Sequence, residues 1–167
     1  TFTRLDCALS SAGFIRQAFA QALHYSRNRH AFGKALADQP LMAEVLADMA
    51  LESEAATLLA MDLATHFGST TALDTAWRRV MTPVAKFWNC KRAVGLTGEA
   101  MEVFGGNGYV ETGPMGRLFR EAPVNSIWEG SGNVMCLDVL RAVSRNPDDA
   151  HLVLDHLHSV ATQDAVV

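Results

Sequence analysis

The residues best placed to do chemistry are in Trp128-Glu129-Gly130-Ser131-Gly132-Asn133, immediately before a helical pattern. A carboxylate between an indole and two glycines can be held partly dry while the backbone passes close to a ligand. Drying raises a carboxylate's pKa towards that of a useful general base, and the positive end of the following helix opposes the rise. The same residues also read as an ordinary first-turn acid beside a Ser131 helix cap. Short motifs misfire often, so the local pattern leaves both readings open.

Two other segments carry chemical possibilities. Arg29-His30-Ala31-Phe32-Gly33 ends a helical stretch with a guanidinium, whose planar fork suits pyrophosphate oxygens. Arg29 also reads as a complement to the helix dipole, and Phe32 as a plain core residue. Gly105-Gly106-Asn107-Gly108-Tyr109 offers bare backbone that a cofactor could approach. It lacks both the GxGxxG spacing and a preceding strand, so it is not a dinucleotide fingerprint. It reads equally as a glycine helix stop with a tight turn at Asn107-Gly108. The six histidines show no metal-ligand spacing, and His151, His156 and His158 are expected on the solvent side of a tail helix. No GxSxG elbow occurs, and the three cysteines form no CxxC pair.

These segments need elements to position them, and the elements are helices. Leu5, Leu9, Ala12, Ile15, Phe19 and Ala22 recur at steps of three and four, predicting a helix to about Arg29. Asp38 as cap and Pro40 in the first turn predict a second, with the stripe Met42, Leu46, Met49, Ser53, Ala56, Ala60, Leu63 and Phe67 ending at Gly68. A third opens after Ser69/Thr70 with the face Leu73, Trp77, Val80, Val84, Phe87, Lys91, Val94, Gly98 and Met101, kinked at Pro83. Seven of the twelve glycines fall between Gly105 and Gly132, a long excursion with one short helical stretch near Met115–Phe119. A fourth helix is expected from Ser131, and a fifth over about 147–162 after Asn146 as cap. The fold class is therefore all-α, an up-and-down four-helix bundle with an additional C-terminal helix. The second helix is apolar on further sides at Leu41, Val45, Leu51, Ala55 and Leu59, which predicts a homo-oligomer.

Composition narrows the classes. With 167 residues, 49% hydrophobic and 19% charged, the chain suits one globular helical domain, spanning 1–167. No apolar run is long enough to span a membrane, and the thiol usage suits a cytoplasmic setting. A net charge of −4 gives no general attraction to nucleic acid. The first residue is Thr, with an amphipathic pattern already running by Leu5, so the sequence reads as a piece of a longer polypeptide.

The order of motifs resembles one family. Arg4 comes first, then Arg-x-x-Phe-Gly-Lys at 29–34, Phe-Gly-Gly-Asn-Gly-Tyr at 104–109, and Glu-Gly-Ser at 129–131. Over residues 2–145 this resembles the carboxy-terminal domain of acyl-CoA dehydrogenases. The segment Pro123–Arg141, with Ala85-Lys86-Phe87 and Cys90-Lys91-Arg92, is similar to the alkylation-response branch, the AidB-like flavoproteins.

That resemblance implies a three-part FAD protein whose amino-terminal helical and middle β domains lie outside this chain, assembled as a dimer or tetramer. It implies Glu129 as the base that takes the α-proton of an acyl thioester while flavin accepts a hydride, with Arg4 near the catalytic centre. Arg29 and Phe32 would contact FAD across a subunit boundary. Glu102, Gly105 and Gly106 would lie by its adenosine end, and Ser131 and Asn133 in the turn that cradles it. The isolated piece is expected to be inactive and without FAD, since part of the pocket belongs elsewhere. Trp128, Ser131, Asn133, Glu102 and Ala31 depart from the residues usual in the family, and the bulk of Trp128 speaks against an ordinary fatty acyl substrate. The base position some relatives use on the first helix is Thr3, which has no acid. The redox reading requires the Glu129 carboxyl to stand at a mouth formed by the glycine turn and the long helices. Rival readings are an alkylation-response flavoprotein that associates with DNA, and a helical oligomerisation module without activity.

Overall fold

The computed structural model describes residues 2–164, and seven α-helices account for most of them. Helix α1 spans Phe2–Asn28, and a hairpin of two-residue strands follows, β1 His30–Ala31 against β2 Lys34–Ala35. Leu36–Asp38 forms a single 3₁₀ turn into α2, Pro40–Thr65. A second 3₁₀ turn, His66–Gly68, leads to α3, Ala72–Val103. The remaining helices are α4 Gly106–Tyr109, α5 Met115–Ile127, α6 Gly132–Arg145 and α7 Pro147–Asp164.

Helices α1, α2, α3 and α5 form the bundle. Its core holds Ala12, Ile15, Ala18 and Ala22 of α1 against Leu46, Met49, Ala56 and Ala60 of α2. Ala93, Leu96, Ala100 and Val103 of α3 and Met115 and Ala122 of α5 complete it. The many alanines let helix backbones approach closely, and burial of the interspersed large side chains drives the packing. A second core at the other end gathers Leu5 and Ala8, Leu63, Trp77 and Val80, Ala142 of α6 and Val153 of α7. The all-α architecture therefore holds, with the tail helix packed on one end of the bundle.

Several local expectations are corrected. Asp38 does not cap α2: Gln39 occupies the N-cap position, with no side-chain cap bond, and its Nε2 donates to Ala31 O at 3.2 Å. Pro40 sits in the first turn as expected. Thr71, rather than Ser69 or Thr70, caps α3, its Oγ1 accepting from Asp74 N at 3.1 Å. Helix α3 runs through Pro83 unbroken, and its buried face follows the expected stripe at Trp77 and Val80 and departs from it beyond them. Lys91 is exposed, while Thr82, Lys86, Asn89, Cys90, Ala93, Thr97 and Ala100 are buried. Beyond Val80 small and polar side chains make much of the contact alongside Leu96 and Val103, while Val84, Phe87, Val94 and Met101 are half-buried, so a hydrophobicity period finds only part of the inner face. The glycine-bearing stretch also holds more helix than expected, with α5 extending to Ile127 and a helical turn at Asn107-Gly108. Gly108 is required there, because a Cβ would stand 2.2 Å from Met101 O. Val45 and Leu59, expected on an outward face of α2, pack against the cores of the chain, whereas Leu41, Leu51 and Ala55 are exposed.

Ile15 is fully buried where α1 meets the bundle. Ile15→Ala should destabilise the fold by about 2–5 kcal/mol through lost transfer energy and a residual cavity. Denaturant midpoints at unchanged m-value would measure it, and a loss below about 1 kcal/mol would mean the bundle collapses around the gap.

Candidate functional site

Helix α5 stops at Ile127 and α6 starts at Gly132, so Trp128–Ser131 must reverse the chain in four residues. The reversal is made by two successive positive φ angles, 59° at Glu129 and 108° at Gly130. A side chain at Gly130 would be strained at that φ, and its Cβ would force Val134, 2.9 Å away at Cγ1, and the Met135 methyl, 2.7 Å away, to shift. Glu129 carries a Cβ, and a non-glycine residue in this region costs roughly 1–2 kcal/mol.

Two cations hold the turn in that shape. Lys86 Nζ donates to Trp128 O at 2.9 Å and to Gly130 O at 2.5 Å, while Arg4 Nε donates to Glu129 O at 3.0 Å. Three consecutive carbonyls are thus each bound by a charged donor. Hydrogen bonds to charged groups contribute about 1.5–3 kcal/mol each, more than the strain they oppose. Lys86 is only 1% exposed, and burial pushes its ammonium below the usual lysine range. Arg4 is fixed in turn by Asp138 of α6, which accepts from Arg4 Nη1 at 2.6 Å and from Arg79 Nη2 at 3.0 Å. Burial raises the Asp138 carboxyl, but the hydrogen bonds and charges of Arg79 and Arg4 outweigh it and hold the group below its ordinary range.

The Glu129 side chain points to α1, where Thr3 Oγ1 donates to Oε2 at 2.9 Å. It borders a cleft of about 270 Å³ lined also by Asp6, Cys7, Ser10, Asn125 and Trp128. Trp128 Nε1 donates to Asn125 Oδ1 at 3.1 Å, which orients the indole at the rim. The expected drying is not supplied by this chain: Glu129 is exposed and Trp128 is 54% exposed. The arrangement can accept a proton from a molecule in the cleft, and whatever excludes water has to come from outside the chain. Ser131 occupies the N-cap of α6 without a side-chain cap bond, and it and Asn133 are exposed on the first turn.

The other candidate residues lie at the opposite end of α1. Arg29 N bonds Tyr25 O at 2.8 Å, and the Tyr25 ring stacks on Phe104 at 4.2 Å between centroids. This contact brings the end of α1, just before the hairpin, against the end of α3, where Glu102, Gly105 and Gly106 are exposed and Gly105 has φ 59°. From Thr3 to Tyr25, α1 covers about 33 Å at 1.5 Å per residue. The glycine turn therefore does not form the mouth at which Glu129 stands; α1 and the turn after α5 do. Phe32 is not a core residue either. It sits at the hairpin tip with φ 54° and is 93% exposed, an aromatic held in a strained conformation and left uncovered by the described residues. Arg29 next to it is exposed.

Thr3, Lys86 and Asp138 were not singled out from the sequence as site residues. Lys86 had a signal: Thr82, Lys86, Asn89 and Thr97 are polar residues spaced to share one face of α3, and a polar stripe on a core helix needs partners. His151 and His158 are exposed as expected, but His156 is half-buried, edge-on to Trp77 at 5.0 Å. No cluster of three metal-ligating side chains occurs among the described residues.

The family model for the acyl-CoA dehydrogenase C-terminal domain matches residues 1–144. The chain is 47% identical over 163 residues to the AidB protein of Escherichia coli strain K12, covering 97% of this chain and 30% of that protein. The crystal structure of Caenorhabditis elegans ACDH-11 in complex with C11-CoA superposes with a TM-score of 0.89 at 32% identity, over 93% of this chain and 27% of that one. Butyryl-CoA dehydrogenase from Megasphaera elsdenii gives 0.73 at 32% identity, over 84% and 35%. The chain thus spans about a third or less of the length of these relatives.

Two outcomes follow from the turn. Glu129→Gly should leave the fold as stable or up to about 1 kcal/mol more stable, since glycine relieves the left-handed strain. A lower denaturant midpoint would show that the strain is not stored at this residue. Because the Asp138 pKa is depressed by folding, its contribution is present above the unfolded carboxylate pKa of about 3.9 and is lost as pH falls through the folded value. Asp138→Asn should therefore flatten the acid limb of stability below about pH 4, with wild type and variant converging there; an unchanged limb would refute the pairing.

Proposed function

The chain belongs to the acyl-CoA dehydrogenase family, and we propose that it is the carboxy-terminal helical domain of a three-part FAD enzyme that uses Glu129 as its base. The observation that carries this reading is the carboxylate itself, held at strained φ on the rim of a cleft. Strain of this kind persists only where surrounding contacts over-determine it, and it gathers at working sites.

The residues fit FAD in two places. At one end, Arg29 offers a guanidinium for a pyrophosphate, Phe32 an uncovered aromatic face, and Glu102, Gly105 and Gly106 an exposed edge for the adenosine half. At the other, Ser131 and Asn133 present polar groups on the first turn of α6 beside the base. The two sets are separated by most of the length of α1, so we assign Arg29 and Phe32 to the FAD of a second copy. The exposed Leu41, Leu51, Leu58 and Met61 of α2 suit a homo-oligomer of this kind.

FAD, when bound, would supply an acceptor for the hydride leaving the β-carbon of an acyl thioester. Glu129 takes the α-proton. The Thr3 hydroxyl orients its Oε2, and a carboxylate bonded on one oxygen keeps lone pairs for the proton. Arg4 fixes the backbone of the base through its bond to the Glu129 carbonyl. Trp128 walls the cleft and narrows it for long unbranched chains. Upstream domains exclude water, so the chain by itself is inactive. Among the described residues no helix is long and apolar enough to cross a membrane.

Glu129→Gln in the full-length protein should retain flavin and lower kcat with the best of a panel of acyl-CoAs by about 10²–10⁴-fold. Anaerobic flavin bleaching measures it. Bleaching by the variant at the wild-type rate, or none by wild type with any acyl-CoA, would overturn the assignment.

A further inference from the structure

We propose that Lys86 is a positioning residue for the base, fixing the backbone on both sides of Glu129 so that the carboxylate is directed into the cleft. The inference rests on reading Glu129 as the base. It starts from three observations. A lysine is buried to 1% exposure in the middle of α3, and among the described residues no carboxylate pairs with it. Burying an ammonium is unfavourable unless its donors are met. Two of its three donors are met by backbone carbonyls, of residues 128 and 130, reached from a single nitrogen. The residue between those carbonyls is the one non-glycine left-handed residue in the turn.

The geometry explains why this matters for direction. The side chain of Glu129 leaves its Cα in a direction set by the peptide planes on either side. Lys86 fixes the plane that carries O128, Arg4 the plane that carries O129, and Lys86 again the plane that carries O130. With all three planes held, φ at 129 has one value and the carboxylate one approach, towards Thr3 and the cleft. Without Lys86 the turn can relax to negative φ, the favoured region for a glutamate, and the carboxylate swings away. The ammonium also lies within electrostatic reach of Glu129, together with Arg4, Cys7 and Cys90. Lys86 touches no reacting atom and acts through the backbone.

The test uses the full-length flavoprotein with Lys86→Met, which keeps the length of the side chain and removes the donors. A misdirected base should lower kcat by about 10²-fold with KM within about threefold. Amide hydrogen exchange across residues 126–133 should rise in the flavin-free protein while exchange in α2 stays as in wild type. A lysine that only glues α3 to the turn would lower stability and leave kcat within about threefold, and that result overturns the proposal, as does unchanged exchange. Should Lys86→Met not fold, Lys86→Gln, whose shorter amide reaches at most one carbonyl, is read by the same two measurements. Glu129→Gln separates the two ideas: activity retained there removes the base assignment, whereas an inactive Glu129→Gln with an unaffected Lys86→Met removes only the role of Lys86.

Discussion

The shape of the site depends on two cations binding three consecutive backbone carbonyls. Lys86 from α3 and Arg4 from α1 meet at the turn after α5 and hold it in a conformation that its own sequence disfavours. Nothing local to Trp128-Glu129-Gly130 would choose a left-handed glutamate. The choice is imposed by donors more than forty residues away in the chain, and it is affordable because charge-assisted bonds exceed the strain. Asp138 extends the constraint to α6, so the three helices that border the turn are tied to the same few atoms.

Helix α1 connects this end of the molecule to the other. It carries Thr3 and Arg4 at its start, Tyr25 near its end and the hairpin just beyond. A rigid rod of that length keeps the carboxylate and the Arg29–Phe32 tip apart, at opposite ends of the bundle. The tip has the marks of a surface made for something outside the chain: strain at Phe32, a ring in solvent and an arginine beside it. The same logic applies to Glu129 and Trp128, which are also exposed.

The central helix illustrates how packing and chemistry share a surface. Its buried face is built from alanines, threonines, Asn89, Cys90 and Lys86 together with Trp77, Val80, Leu96 and Val103. Small residues bring α1 and α2 close, and the polar ones use that closeness: Asn89 Nδ2 donates to Ala56 O at 3.0 Å and to Ala8 O at 3.3 Å, bridging two neighbours. The lysine occupies the place on this stripe where the bundle opens towards the turn, so its charge is spent on carbonyls rather than left unmet.

The sequence by itself determined the helical class, the stripes of α1 and α2, the family, and the identity of Glu129, Arg4, Arg29 and Phe32 as residues worth watching. These are local or ordered signals: periodicity follows from burial of one face, and motif order survives without coordinates. Only the tertiary structure decided which face of α3 is inside, that the glycine turn and the carboxylate lie at opposite ends of α1, and that Lys86, Thr3 and Asp138 serve the turn. The physical reason is that these depend on contacts between residues far apart in the chain. Periodicity weighs hydrophobicity, and part of α3 packs through small and polar side chains whose partners are carbonyls; the spacing of Thr82, Lys86, Asn89 and Thr97 marks that stripe but not what it binds.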